Sequence, residues 1–118
     1  MAVDAGASPP VSPNGQMVAF DSEGAMVIIP VSGGEPVRRI SMRFLGLDWT
    51  PDGRGLTYAD VTRTNLWVQP IDGGAARPLT TFAEGKQIAS FAWSPDGRQL
   101  AVARPVTTSD IVLLKGVR

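Results

Sequence analysis

Trp49-Thr50-Pro51-Asp52-Gly53-Arg54 returns as Trp93-Ser94-Pro95-Asp96-Gly97-Arg98, and a weaker copy, Val11-Ser12-Pro13-Asn14-Gly15-Gln16, precedes both. The copies are spaced by 38 and then 44 residues. A second motif keeps step with the first: Ile29-Pro30-Val31-Ser32-Gly33-Gly34 matches Gln69-Pro70-Ile71-Asp72-Gly73-Gly74, each after an apolar run. Two motifs in register over one period identify a repeated supersecondary unit and exclude chance recurrence of a tripeptide. The second copy is longer by two residues near Thr62-Arg63-Thr64 and by four near Phe82-Ala83-Glu84-Gly85. Both insertions fall between apolar runs, which places them in loops.

The residues between the motifs alternate apolar and polar with the period of two that marks half-buried strands. Strands are expected over Phe44 to Trp49 and Ile88 to Trp93 before the Pro-Asp-Gly turn. After it, Val18 and Phe20, Leu56 and Tyr58, and Leu100 and Val102 take matching places on one face of a second strand. Third strands follow over Met26 to Val31, Leu66 to Ile71 and Ile111 to Leu114, and fourth strands over Pro36 to Ser41 and, more weakly, Arg77 to Thr81. The turns have a mechanism. Pro13, Pro51 and Pro95 preset φ, Asn14, Asp52 and Asp96 accept local backbone hydrogen bonds, and Gly15, Gly53 and Gly97 supply positive φ. Gly33, Gly34, Gly73 and Gly74 punctuate the second turn.

Four such strands per period make one propeller blade, so the expected fold is all-β with about three four-stranded antiparallel blades and no helix. The repeats run approximately over 6–43, 44–87 and 88–118, within a single partial propeller domain of 1–118. Pro9 and Pro10 make the strand from Gly6 to Val11 a bulged edge at best. The last repeat lacks a double glycine and a fourth strand, giving eleven strands and an open final blade.

Eleven basic and eleven acidic residues cancel, and the only basic grouping is Arg38-Arg39 with Arg43. Nucleic-acid binding therefore has no electrostatic footprint. Apolar runs such as Ala25 to Val31 are too short to insert in a membrane, which takes roughly 20 residues, and the start of the chain has no secretory pattern. Zero cysteines fit either redox compartment. With zero histidines as well, no Ser-His-Asp triad or Cys-His pair can be assembled from this chain. The usual zinc ligands are missing, as are phosphate loops and dinucleotide fingerprints. No catalytic residue, metal site or cofactor is expected. Asp52, Asp72 and Asp96 read as turn caps, and Asp21 and Glu23 as a solvated hairpin loop without calcium-loop spacing. Trp49 and Trp93 recur at one blade position, which is what packing between blades predicts, against a reading as a sugar or peptide platform. Trp67, with Val27 and Val112 as counterparts, is assigned to packing with less support. Arg54 and Arg98, after the turns, are expected in solvent.

With both motifs in place, the chain resembles the TolB-like propeller family, Pro-Asp relatives of the WD-repeat propellers, from about Ser8 to Arg118. Repeat one departs from the pattern at Val11, Asn14 and Gln16, as a blade at the edge of a repeat run would. The resemblance implies a bacterial protein and a non-enzymatic module that presents loops to a protein or peptide partner, within a larger sensor or scaffold. Its alternative is the regulatory or substrate-gating propeller of a prolyl-oligopeptidase-like hydrolase, or the C-terminal sensor region of a bacterial serine/threonine kinase. Glycan binding rests on fold analogy alone. The compartment is extracytoplasmic if a longer exported protein carries the signal, and cytoplasmic otherwise. Family rings have six or so blades, so three imply either a missing N-terminal half or a homo-oligomer, in which Met1 to Asp4 lends a strand to the partner's last blade.

Overall fold

The computed structural model describes residues 9–82, 87–104 and 111–115. Among these are ten strands and no helix, arranged as three antiparallel sheets that follow one another along the chain. The first sheet, blade 1, holds β1 (Met17–Ser22), β2 (Ala25–Pro30) and β3 (Arg38–Ser41) in that order. Blade 2 holds β4 (Leu45–Trp49), β5 (Gly55–Ala59), β6 (Leu66–Pro70) and β7 (Arg77–Pro78). Blade 3 holds β8 (Ser90–Trp93), β9 (Gln99–Ala103) and β10 (Ile111–Lys115).

Each sheet is an up-and-down meander in which strands consecutive in the chain pair antiparallel, and across the Pro-Asp-Gly turns the register is the one that turn chemistry imposes. Trp49 pairs with Leu56, and Trp93 with Leu100, across the two Pro-Asp-Gly turns. Apolar side chains then alternate between the two faces of each sheet. Tyr58 and Leu56 of β5 face blade 1, where they pack with Ala19, Met26, Ile28 and Trp49. Ala59 and Leu66 face the other way and pack with Leu100, Val102 and Ile88 of blade 3. The core is therefore two apolar layers, one on either side of blade 2, and all of β5 is buried. The stack measures 45 × 29 × 27 Å.

Several expected strands are shorter than their apolar runs. Val11 makes a single bridge to Val18 and no ladder, so within the described residues only blade 2 has four paired strands. Pro9 and Pro10 lack the N–H groups that a ladder would need. The expected fourth strand at Arg77 to Thr81 shrinks to Arg77–Pro78, with the Leu79 amide still donating to the Leu66 carbonyl just beyond it. β4 is interrupted between Leu45 and Leu47 by a bulge at Gly46, whose φ is +67°. The start of the first expected strand near Gly6, the insertion over 83–85, the exchanged segment 1–4 and the last three residues lie outside the described residues.

Candidate functional site

The Pro-Asp-Gly turn is one hydrogen-bonded unit built three times, and its bonds begin at the hydroxyl residue before the proline. Thr50 Oγ1 donates to Asp52 Oδ1 at 2.6 Å and accepts from the Gly55 amide at 3.1 Å. Asp52 Oδ1 also accepts from the Arg54 amide at 2.9 Å. Ser12 with Asn14, and Ser94 with Asp96, repeat the arrangement with Gln16 and Met17, and with Arg98 and Gln99. Each turn is closed by a backbone bond from the glycine to the residue before proline: Gly15 to Ser12, Gly53 to Thr50 and Gly97 to Ser94, at 2.8–2.9 Å. The hydroxyl residue stands in all three copies, so its recurrence was the signal available for it. Pro13, Pro51 and Pro95 sit between hydroxyl and carboxamide or carboxylate, where no N–H is required.

The double-glycine turns are closed by Gly33 N–H to the Pro30 carbonyl and Gly73 N–H to the Pro70 carbonyl. Gly33, Gly34 and Gly73 adopt positive φ, while Gly74 does not and donates its N–H to Asp72 Oδ1. Arg38 Nε donates to the Ile71 carbonyl at 3.0 Å, tying blade 1 to this turn of blade 2.

The tryptophans stitch blades together. Trp49 Nε1 donates to the Pro10 carbonyl at 3.1 Å, and Trp93 Nε1 donates to Thr57 Oγ1 at 3.0 Å. Each indole thus reaches the preceding repeat, and Thr57 is fully buried. Trp67 packs against the layer between blades 1 and 2 but donates within its own blade, to Asp60 Oδ2 at 3.4 Å. Arg54 and Arg98 are exposed.

A cleft of about 360 Å³ opens between β4 and β8, the first strands of blades 2 and 3. Its apolar walls come from Leu45, Leu47, Ile88 and Phe91, and its polar groups from Asp48, Arg63 and Ser90. Gly46 lets the walls meet: a Cβ there would come within 3.1 Å of Phe91 Cε1. Burial pushes the Asp48 carboxyl above the usual carboxylate range, and its hydrogen bond from the Trp49 amide only partly offsets this. Arg63 holds a left-handed backbone with φ of +58°, and its carbonyl accepts from the Ile88 amide at 2.6 Å. Beside it, burial would raise Asp60, but bonds from the Thr64 amide, the Thr62 hydroxyl, the Trp67 indole and the Asn65 amide outweigh burial and lower it. Neither Asp48 nor Asp60 was legible as a site residue from sequence, since neither recurs in the repeat. A second cleft, of about 290 Å³, lies by the Pro-Asp-Gly turn of blade 2 and is lined by Asp52, Arg54, Asp72, Arg77 and Trp93 among others.

This arrangement joins apolar walls to polar groups that include the half-buried Asp48 carboxylate, and is suited to holding a side chain. Among the described residues no group of three or more Asp or Glu converges as a metal site would require.

No protein-family model matches the chain. A curated relative, a tricorn protease homolog of Saccharolobus solfataricus, is 31% identical over 96 residues, which is 80% of this chain but 9% of that protein. The solved structure titled "putative TolB" from Agrobacterium tumefaciens superposes with a TM-score of 0.67 at 21% identity, over 92% of this chain and 41% of its own. Oligogalacturonate lyase in complex with manganese gives 0.71 at 13% identity, covering 93% of this chain and 38% of its own. Hydrazine synthase of Kuenenia stuttgartiensis gives 0.67 at 12%, over 91% and 33%. The chain therefore spans less than half of each of these proteins. At those identities the structural likeness speaks for fold, and it agrees with the repeated turn, the meander sheets and the stacked apolar layers: the chain has the fold of a run of β-propeller blades, similar to those of the TolB structure.

Proposed function

We propose that these blades form a non-catalytic recognition module that takes a protein or peptide segment in the cleft between β4 and β8. The observation that carries this reading is Asp48, a half-buried carboxylate kept among Leu45, Leu47 and Phe91 at a cost to folding. A carboxylate held that way gains most from an incoming cation, so the expected ligand is a peptide with a Lys or Arg beside an apolar side chain. Rigid blades holding the cleft in place reduce the ordering cost of binding. Panning a library of random linear peptides against the protein tests this. Enrichment of basic-apolar sequences whose binding is lost in Asp48→Asn supports it. Binders indifferent to Asp48→Asn, or no enrichment, contradict it.

A second reading, the substrate-gating propeller of a larger peptidase, is favoured by the 31% identity to a tricorn protease homolog. The cleft would then act on peptides in transit, and catalysis would lie elsewhere in the polypeptide. The full gene separates the two: a hydrolase catalytic region in the same reading frame selects gating, and its absence selects the recognition module.

A further inference from the structure

The cleft of about 290 Å³ by the Pro-Asp-Gly turn of blade 2 shares no lining residue with the cleft between β4 and β8, and it exists because blade 2 departs from the repeat. The hydroxyls of Ser12, Thr50 and Ser94 accept from the amides of Met17, Gly55 and Gln99, so these three residues hold one repeat position. In blade 1 that position is filled: Met17 packs against the apolar layer between blades 1 and 2. In blade 2 it is glycine, and backbone conformation does not require it, since Gly55 does not adopt positive φ. A Cβ at Gly55 would come within 2.8 Å of Val68 Cγ1, and Gly55 and Val68 both line the cleft.

The charged groups around this cleft are not used up by the fold. Arg38 and Arg77 hold one ladder position, opposite Ile28 and Val68. Arg38 Nε donates to the Ile71 carbonyl, whereas the Arg77 side chain has no hydrogen bond or ion pair among the described residues. The Arg54 side chain has none among them either, and both arginines are exposed. The carboxylates of the cleft are turned to their own turns: Asp52 Oδ1 accepts from the Thr50 hydroxyl and the Arg54 amide, and Asp72 Oδ1 from the Gly74 amide. Trp93 supplies a further wall, and with its N–H donated to Thr57 it offers the cleft ring surface.

We propose that this cleft binds a small aromatic carboxylate, with the carboxylate on the Arg54 and Arg77 guanidiniums and the ring against Trp93. A guanidinium presents paired N–H groups in the geometry of a carboxylate, and an indole favours an offset or edge-on aromatic partner. The volume is at the lower end for small-molecule sites, which suits one ring and its carboxylate. Asp52 and Asp72 balance the two arginines in charge. A singly charged anion is therefore accepted, while a phosphate dianion meets like charge as well as opposite.

Calorimetric titration of the purified chain with benzoate tests this. Saturable binding of one benzoate per chain is expected, with benzamide, acetate and inorganic phosphate each weaker by about 10-fold or more, because each lacks either the charge, the ring or the single charge. Arg54→Gln and Arg77→Gln should each weaken benzoate about 10-fold without moving the unfolding midpoint, since both side chains are exposed. Benzoate should also shift the Trp93 indole N–H resonance, identified by its loss in Trp93→Phe. Asp48→Asn, in the other cleft, should leave benzoate binding unchanged, which separates this site from the proposed peptide cleft. No saturable binding, affinity indifferent to both arginines, an unmoved Trp93 resonance, loss in Asp48→Asn, or acetate, benzamide or phosphate binding as well as benzoate would each overturn the proposal.

Discussion

Thr50 puts one hydroxyl to two uses, donating to Asp52 and accepting from the Gly55 amide, and it is buried. Thr50→Val should cost about 1–3 kcal/mol because it leaves a buried amide unpaired, whereas Thr50→Ser should cost far less. Gly53 and Gly97 sit at φ of +73° and +72°, so valine at either should cost about 1–3 kcal/mol through backbone strain. Urea unfolding of the four variants checks both, and equal losses for Thr50→Ser and Thr50→Val would contradict the hydrogen-bond account. Arg63, at φ of +58°, carries backbone strain itself, and Arg63→Gly should stabilise slightly. The two perturbed carboxylates act oppositely with pH. Asp48 in the folded chain keeps its proton to higher pH than the unfolded chain, whose value is near 3.9. Folding therefore takes up protons in that window, and stability falls as pH rises through it. Asp48→Asn should raise Tm at pH 7, with the gain vanishing below the unfolded value. Asp60, held low, contributes stability above the unfolded value that is lost as pH falls through its folded value. An Asp48→Asn variant with unchanged or lower Tm at pH 7 would contradict the desolvation assignment.

The junction between blades 2 and 3 carries a side-chain polar pair, Trp93 with Thr57, beside its apolar layer. Trp93→Phe leaves the buried hydroxyl without its indole donor, and Thr57→Val leaves the indole N–H without its acceptor. Each should cost about 1–3 kcal/mol, and the double variant should recover part of the sum, about 1 kcal/mol of coupling in a double-mutant cycle. Strict additivity would show that the bond contributes nothing. The strands themselves were legible because alternation survives wherever both faces are buried, as in β5. What was not legible is where pairing stops. The apolar runs continue past the strand ends at Phe44, Ile71 and Val31, and where the regular ladder stops depends on local backbone facts such as the bulge at Gly46. The turn motif was half legible. Proline, acid and glycine declare themselves by residue type, while Ser12, Thr50 and Ser94 look like ordinary polar residues until the hydroxyl is seen bridging the turn. The cleft was not legible at all, since it is made where two blades meet and its residues come from strands about forty positions apart.

Stacked as they are, the three blades depend on blade 2, which supplies both apolar layers and whose neighbours each have one packed face. The repeat predicts cooperative units coupled through nearest neighbours, as in other repeat architectures. Loss of the blade 1–2 layer, for instance by Met26→Ala at a fully buried position, should cost about 2–5 kcal/mol and lower Tm for the entire stack. Separate transitions for the blades would instead show them to be autonomous. The central claim, that inter-blade layers on both sides of blade 2 hold the fold together, is tested most directly by amide hydrogen exchange followed strand by strand. The account predicts that the amides of β5, buried along its length between both layers, exchange slowest, and that the Arg77 amide, the one amide of the two-residue edge strand β7, exchanges fastest. Exchange in β5 as fast as in β7 would contradict it.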